Sequence, residues 1–418
     1  MAFSTPSFVA STRKPARSKP EPACAPSART FATPLLPYTL SVQAVTTRLR
    51  LLLALTLLLA WTSASAQADA SSDVPVRVLL QGGISDVVVD LDGAHRVRTE
   101  RSSVNAATGF AWPLRAQDGQ LVSDGLPVGP WIELAPQEGI VTYRGATFRG
   151  ALRLEATGNR IRIVNVLDLE QYLRGVVPAE MQASWPLEAL KAQAIAARTF
   201  TLYNLDADAP YDICATTDCQ VYGGVAGEHP RSDQAIRETA GQVLTWNGAI
   251  VRAHYHADSG GTTASSAEVW GYDLPYLQPR SDGGVASPHR TWTTRIPASS
   301  LANALAREGG SIGTPQDLSI LATSPSGRAT RVEFRGSGGS LILSGPTLTR
   351  VLRGAGLKST RIERIGLLEV RGSGWGHGVG MSQWGARSLA LQGQAARQIL
   401  THYYPGVVIE RPIQRASR

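Results

Sequence analysis

Several common features are scarce or missing in this sequence of 418 residues. It contains three cysteines, and no internal repeat is evident. Its apolar run Leu51–Trp61 has 11 residues, whereas a helix that spans a membrane needs about 20. The glycine-rich segment 372–380 is not followed by the Lys-Ser/Thr pair of a Walker A motif. We therefore expect no stable membrane span after processing and no nucleotide-binding loop.

The N-terminal part has the pattern of a secretory signal peptide at residues 48–66. Two arginines precede the apolar run, and small residues from Ser63 to Ala66 follow it, which predicts cleavage after Ala66. An uncleaved membrane anchor is the alternative. Residues 1–47 are rich in Pro, Ser, Thr and Ala, which indicates disorder or a misassigned start, with translation beginning near Val42 or Val45. This pattern predicts an extracytoplasmic protein.

The net charge of +8 depends largely on this N-terminal part. Residues 1–66 contain seven of the 41 basic residues and one of the 33 acidic residues, so the remainder has a net charge near +2. A nearly neutral chain lacks the basic surface that nucleic acids require. We therefore expect no nucleic-acid partner.

The rest of the chain divides into two regions by its pattern of apolar residues. Region 67–158 alternates apolar and polar residues, as in Val74–Leu80, and is predicted to be β-rich. Region 159–410 adds helices: one at 168–176, interrupted by Val177–Met181, and one that opens at Pro186. Asn247-Gly248 predicts a tight hairpin turn, with a strand over 249–257 after it. These patterns indicate an α+β fold.

Glu180 is the first candidate for catalysis. Apolar residues flank it in Val176–Met181, and an apolar environment disfavours a charged carboxylate and raises its pKa. A carboxylic acid with a raised pKa can donate a proton near neutral pH. The alternative is a structural carboxylate that interacts with the N-terminal dipole of the next helix.

Segment 372–380 combines glycines with Trp375 and His377. Glycine allows tight turns and a close approach of the backbone to a ligand, and an aromatic ring can stack on the apolar face of a sugar. This composition favours a sugar-binding surface. A structural turn with a packed tryptophan and a hydrogen-bonded histidine is the alternative.

Other polar residues permit more than one interpretation. Cys214 and Cys219 suggest a disulfide in an exported protein, or a metal site, which could include His254 and His256. Ser259 could suggest a serine hydrolase, but the nucleophile-elbow pattern is absent around it.

Three separated sets of motifs resemble the SpoIID/LytB family, named for stage II sporulation protein D and the amidase enhancers. The resemblance covers about residues 160–410. Its motifs are Leu169–Met181, Trp185–Ala194 and Ala197–Phe200; Ser259–Thr262, Glu268–Gly271 and Pro275–Leu277; and Gly374–Ala386 and Ile399–Gly406.

The resemblance implies a peptidoglycan lytic transglycosylase with a mixed α/β catalytic domain at 159–410 and Glu180 as its single acid/base. Such an enzyme cuts between N-acetylmuramic acid and N-acetylglucosamine in peptide-free (denuded) strands and leaves 1,6-anhydro ends. Motif membership suggests Tyr222, Ser259, His377 and Gln383 as substrate-binding residues. The alternative is a non-catalytic glycan-binding enhancer of a cell-wall amidase.

The motifs differ from those of some relatives in one respect that concerns metal binding. These relatives hold zinc with cysteines and histidines near a Cys-x-x-x-x-Cys motif. Here Asp212 and Asp218, and no histidine, stand near Cys214 and Cys219. We therefore assign no metal or cofactor; zinc at Cys214 and Cys219, with carboxylate ligands, is the alternative.

Overall fold

The computed structural model describes residues 73–91, 93–106, 109–282 and 286–411. The predicted signal peptide, 48–66, and the segment 1–47 before it lie outside these residues. Within the described ranges, no helix is both long enough and apolar enough to cross a membrane.

Strands make up the described chain up to Asp168, and all helices of the described ranges follow this residue, which confirms the predicted α+β class. The first twelve strands are β1 (Pro75–Ile84), β2 (Asp86–Leu91), β3 (His95–Thr99), β4 (Ser103–Ala106), β5 (Phe110–Gln117), β6 (Gln120–Ser123), β7 (Leu126–Gly129), β8 (Trp131–Pro136), β9 (Ile140–Tyr143), β10 (Ala146–Arg149), β11 (Ala151–Thr157) and β12 (Arg160–Asp168).

The later strands are shorter on average and are dispersed among the helices. They are β13 (Ile213–Cys214), β14 (Val243–Trp246), β15 (Ala249–Ile250), β16 (Tyr255–His256), β17 (Trp292–Arg295), β18 (Pro315–Thr323), β19 (Ala329–Gly336), β20 (Gly339–Ser344), β21 (Ile362–Gly366), β22 (Glu369–Gly372), β23 (Met381–Ser382) and β24 (Val408–Glu410).

The helices of the described residues are α1 (Leu169–Glu180), α2 (Leu187–Tyr203), α3 (Pro230–Glu238), α4 (Ser266–Trp270), α5 (Ala298–Arg307), α6 (Gly345–Gly354), α7 (Gln383–Leu391) and α8 (Ala396–Tyr403).

A seven-stranded sheet in the order β13-β1-β12-β11-β8-β3-β4 organises the first half of the structure, beside a four-stranded sheet β2-β5-β6-β7. The alternating residues of β1 place Val76 and Val78 in the core, as the sequence pattern predicts. Strand β12 begins two residues after the predicted boundary at residue 158, yet it pairs with β1 and β11. The two predicted regions therefore share one sheet.

Helix α1 leads directly from β12 toward the candidate site. The Asp168 carboxylate caps it by accepting a hydrogen bond from Glu170 N at 2.8 Å. The predicted interruption at Val177–Met181 is wrong, because the helix continues through Pro178 to Glu180. Pro178 lies in the last turn, where its missing N–H removes one hydrogen bond close to the point at which the helix ends.

Helix α2 is the central helix and contributes to two hydrophobic cores. Ala194 and Ala197 pack with the sheets of the first half, whereas Leu190 and Ile195 pack with the C-terminal helices. Small alanines allow neighbours to approach on both sides. This buried helix provides the support against which α1 and α7 are placed.

Residues 292–372 form a smaller unit with its own hydrophobic core, built from β17 to β22 with α5 and α6. The predicted strand at 249–257 is only partly correct. It is divided into β15 and β16, because the backbone between them bonds elsewhere: His254 O accepts from Met381 N of β23 at 3.1 Å.

Candidate active site

Glu180 is the last residue of α1 and is partly exposed. Two donors from distant parts of the chain hold its carboxyl group. The backbone N–H of Val221 donates to Oε1 at 2.7 Å, and Nε2 of Gln383 donates to Oε2 at 3.3 Å. The site thus joins the end of α1, the loop after the disulfide and the first residue of α7.

Burial raises the pKa of Glu180 above its ordinary value, and the hydrogen bonds from Val221 and Gln383 lower it by less. The direction agrees with the prediction from its apolar sequence neighbours. A raised pKa keeps more of the carboxyl group protonated near neutral pH. The two donors can still stabilise the carboxylate that remains after the proton has left.

A buried glutamine, Gln220, supports the loop that carries the Val221 amide. Its Oε1 accepts from Tyr172 Oη at 3.1 Å and from Thr201 Oγ1 at 2.9 Å, and its Nε2 donates to Tyr255 Oη at 2.9 Å. Gln220 is fully buried. Its bonds therefore fix the backbone immediately before the donor to Glu180.

Of the four predicted substrate-binding residues, the structure brings Gln383 into contact with Glu180. Its Nε2 also lies 3.4 Å from Oε1 of the buried Gln193. Its side chain is largely buried, so Gln383 supports the acid from the protein side. Sequence reasoning missed Gln193, Gln220 and Val221, since none of them carries a titratable group.

Tyr222 lies beside the site but points into the core. Its hydroxyl donates to Asn165 Oδ1 at 2.9 Å, and its ring packs between Phe148 and Tyr172 at centroid distances of 5.9 and 5.1 Å. The hydroxyl is thus occupied inside the protein. Burial raises its pKa above its ordinary range.

Ser259 is fully buried, and its hydroxyl donates to Asp282 Oδ2 at 2.7 Å. Tyr403 donates to the other oxygen of the same carboxylate. Within the described ranges, no histidine is hydrogen-bonded to Ser259, which lends no support to the serine-hydrolase alternative.

His377 lies in a cluster with two other histidines. Its ring centroid is 5.7 Å from that of His254 and 5.5 Å from that of His256, and its Nδ1 accepts from Val379 N at 3.0 Å. Burial and the nearby cation of Arg328 lower the pKa of His377 to about 4. At neutral pH His377 is therefore an uncharged group that holds the glycine-rich loop, residues 372–380.

The structure confirms the predicted disulfide between Cys214 and Cys219, whose Cα atoms are 5.4 Å apart. The two nearby aspartates are also engaged, Asp212 with Arg77 at 2.7 Å and Asp218 with Arg353. No set of three or more His, Cys, Asp or Glu in the described part of the chain is arranged to hold a metal ion. The groups around the disulfide thus do not fit the zinc site of some relatives.

Comparisons with known proteins identify relatives of this chain. The family model described as stage II sporulation protein (SpoIID) matches residues 157–246, which include Glu180 and Val221. An uncharacterized protein of Brachyspira hyodysenteriae is 33% identical over 284 residues, which are 65% of this chain and 77% of that protein.

Two Bacillus proteins are also similar. Stage II sporulation protein D of Bacillus amyloliquefaciens is 30% identical over 279 residues, 59% of this chain and 75% of that protein. The amidase enhancer of Bacillus subtilis is 33% identical over 288 residues, 57% of this chain and 40% of that protein. This chain belongs to the SpoIID (stage II sporulation protein D) family.

Proposed function

We propose that this protein is a peptidoglycan lytic transglycosylase that cuts the bond between N-acetylmuramic acid and N-acetylglucosamine and leaves 1,6-anhydro ends. The observation that carries the proposal is the single carboxyl group of Glu180, which is partly exposed, has a raised pKa and is held by two donors. A relative named for sporulation and another named for enhancing an amidase support a role at the cell wall.

In the proposed reaction, Glu180 gives its proton to the glycosidic oxygen as the bond from that oxygen to C1 of the muramic residue breaks. The resulting carboxylate is stabilised by Val221 N–H and Gln383. It then accepts the proton of the muramic C6 hydroxyl, whose oxygen bonds to C1. Glu180 ends protonated, no water is consumed, and the second carboxylate of an ordinary glycosidase is not needed.

The remaining predicted residues have supporting positions in this scheme. Gln383 contacts the acid itself, Tyr222 fixes the loop next to Val221, and Ser259 and His377 hold the segments around the glycine-rich loop. Direct contact between these residues and the substrate stays a prediction.

The test is digestion of denuded glycan strands with mass analysis of the products. The wild type should release fragments with 1,6-anhydro ends. Glu180→Gln keeps the shape of the side chain but cannot exchange a proton, and loss of general acid/base catalysis typically lowers rates by about 10²–10⁴. Glu363→Gln, at an exposed position of β21, is the matched control and should cut normally. A Glu180→Gln variant that cuts like the wild type would reject the assignment.

A second candidate function is a glycan-binding enhancer of a separate cell-wall amidase, which the similarity to the amidase enhancer of Bacillus subtilis favours. Such a protein would bind strands and release nothing alone, yet would accelerate a purified amidase. If Glu180→Gln stimulates the amidase as well as the wild type does, and the wild type releases no anhydro ends, the enhancer function replaces the enzymatic one.

Action on the cell wall requires export, and the predicted signal peptide at 48–66 would supply it. N-terminal sequencing of the secreted protein should begin at Gln67. A mature protein that retains residues 1–47 would contradict both the predicted cleavage and the predicted start.

A further inference from the structure

A row of aromatic rings leads away from the candidate acid. Trp185 lies five residues after Glu180, and its ring centroid is 4.8 Å from that of Trp384, which follows Gln383. The row continues from Trp384 to His289 at 6.4 Å and from His289 to Trp375 at 4.6 Å. We call these four rings the aromatic ribbon.

The aromatic ribbon changes from buried to exposed along its length. Trp185 is 7% exposed, Trp384 and His289 are partly exposed, and Trp375 is 47% exposed. Contiguous apolar surfaces that reach solvent commonly mark binding sites, and the apolar faces of sugars can stack on aromatic rings. The ribbon thus runs from Trp384, the residue after the Gln383 that contacts the acid, to the exposed ring of Trp375.

A cation lies against each end of the aromatic ribbon. The Arg387 guanidinium is 5.3 Å from the ring centroid of Trp384 and 5.6 Å from that of Trp185, and the Lys358 ammonium is 5.5 Å from that of Trp375. Within the described residues neither cation forms an ion pair with a carboxylate. A stacked guanidinium still presents its N–H edge, which matches a carboxylate with two parallel hydrogen bonds.

The fold fixes both cations relative to the acid. Arg387 is one helical turn after Gln383 on α7, so the two side chains share a helix face about 6 Å apart along the axis. At the other end, Lys358 O accepts from Gly376 N at 2.8 Å, which ties this segment to the glycine-rich loop that carries Trp375. Arg387 and Lys358, which have no carboxylate partner among the described residues, lie against an aromatic surface and suit a sugar chain that carries carboxylates.

We propose that the aromatic ribbon binds the glycan strand and that Arg387 and Lys358 bind free lactyl carboxylates of its muramic residues. This inference rests on the proposed function for the identity of the glycan. A muramic lactyl group carries a free carboxylate only where the stem peptide is absent, since the peptide is attached there through an amide. Arg387 and Lys358 are therefore the residues that favour peptide-free strands.

The experiment measures the dissociation constants of three glycans in the Glu180→Gln background, where turnover does not interfere. The glycans are denuded strands, the same strands with their carboxylates converted to methylamides, and chitooligosaccharides of equal length. We expect denuded strands to bind about tenfold more tightly than the other two, which is the size of one charge-assisted hydrogen bond. The preference should weaken as ionic strength rises.

Substitutions assign this preference to the two cations. Arg387→Gln and Lys358→Met should each lose several-fold affinity for denuded strands and little for the methylamides. Arg331→Gln, at an exposed arginine of β19, is the matched control and should change neither affinity. Thermal unfolding of each variant checks that the fold is intact.

Equal binding of denuded and methylamide strands by the parent protein would overturn the inference. So would a loss in Arg387→Gln that is the same for both glycans, or tight binding of strands that retain their peptides. The outcomes separate this inference from the proposed function. Selective binding without any cutting by the wild type would remove the enzymatic function alone, whereas cutting without carboxylate selectivity would remove this inference alone.

Discussion

Replacing Gly175, in the middle of α1, sets the higher helix propensity of alanine against the cost of overpacking the core. The substitution is Gly175→Ala. A Cβ atom at this position would lie 2.5 Å from Cε2 and 2.8 Å from Cδ2 of Tyr222, and 3.1 Å from the carbonyl oxygen of Gly224. The first two distances are shorter than carbon atoms tolerate, so either the ring or the helix must move.

The magnitudes decide the sign of the effect. Alanine is favoured over glycine in a helix by about 1 kcal/mol, whereas added volume in a well-packed core costs about 1–3 kcal/mol. The Tyr222 ring has little room to withdraw, because it packs between Phe148 and Tyr172 and its hydroxyl is bonded to Asn165 at 2.9 Å. We therefore expect Gly175→Ala to lower the free energy of unfolding by about 1–2 kcal/mol.

The same movement should affect the site. Glu180 ends the helix that carries position 175, and Val221 precedes Tyr222, so a shift between helix and ring lengthens the 2.7 Å hydrogen bond between Val221 N and Glu180. Release of anhydro products should fall with stability. Urea unfolding measures the loss of stability, and product analysis measures the release of anhydro ends.

The control is the double variant Gly175→Ala/Tyr222→Leu, in which a smaller side chain makes room for the methyl group. Its loss should be smaller than the sum of the two single losses, since the two positions are in contact. The reasoning is refuted if Gly175→Ala alone stabilises the protein by about 1 kcal/mol, as it would on an open helix face.

Three further predictions concern charges and the disulfide. Glu180→Gln should become more stable relative to the wild type as pH rises. A carboxyl group whose pKa is raised by folding contributes its full stability below its pKa in the unfolded chain, about 4.3, and loses this stability as pH rises through its pKa in the folded protein. A difference in unfolding free energy that stays constant in urea titrations between pH 4 and pH 8 would contradict this. Glu170→Gln should cost about 3–5 kcal/mol, because it leaves the buried guanidinium of Arg198, now held by two bonds of 2.7 Å, without a carboxylate; a loss below 1 kcal/mol in urea unfolding would show that the pair is dispensable. Replacing both Cys214 and Cys219 by serine should cost about 2 kcal/mol, the chain-entropy value for so short a loop, and reduction of the wild type should reproduce the same loss.

Local sequence patterns predict the elements of this fold well where the deciding interactions are themselves local. Alternation of residues identifies β1, and Asn247-Gly248 forms its tight turn with positive φ angles of 52° and 77°. Pro186 is the N-cap of α2, one residue before the helix begins, close to the start that the sequence predicts. The interruption predicted at Val177–Met181 fails because one proline in a last turn removes little, and helical hydrogen bonding continues past it, with Met181 N donating to Val177 O at 2.9 Å.

The candidate site shows where such patterns stop. The apolar neighbours of Glu180 predict the direction of its pKa shift, but its hydrogen-bond donors lie 41 and 203 residues further along the chain. One of them is a backbone amide, for which side-chain identity carries no signal. Tyr222 and Ser259 have residue types typical of a binding site, yet their hydroxyls bond to Asn165 and Asp282 inside the protein. Only tertiary packing distinguishes an available hydroxyl from an occupied one.

The partial exposure of Glu180 has a consequence for when the acid is ready to act. Burial already outweighs the two donors and raises its pKa in the free protein. A sugar chain lying over the carboxyl group would remove its remaining contact with water, and a lactyl carboxylate on Arg387 would add negative charge nearby; both changes disfavour ionisation. Under the proposed function, a bound strand would therefore raise the pKa of Glu180 further and increase the fraction of the protein that carries the proton to be transferred.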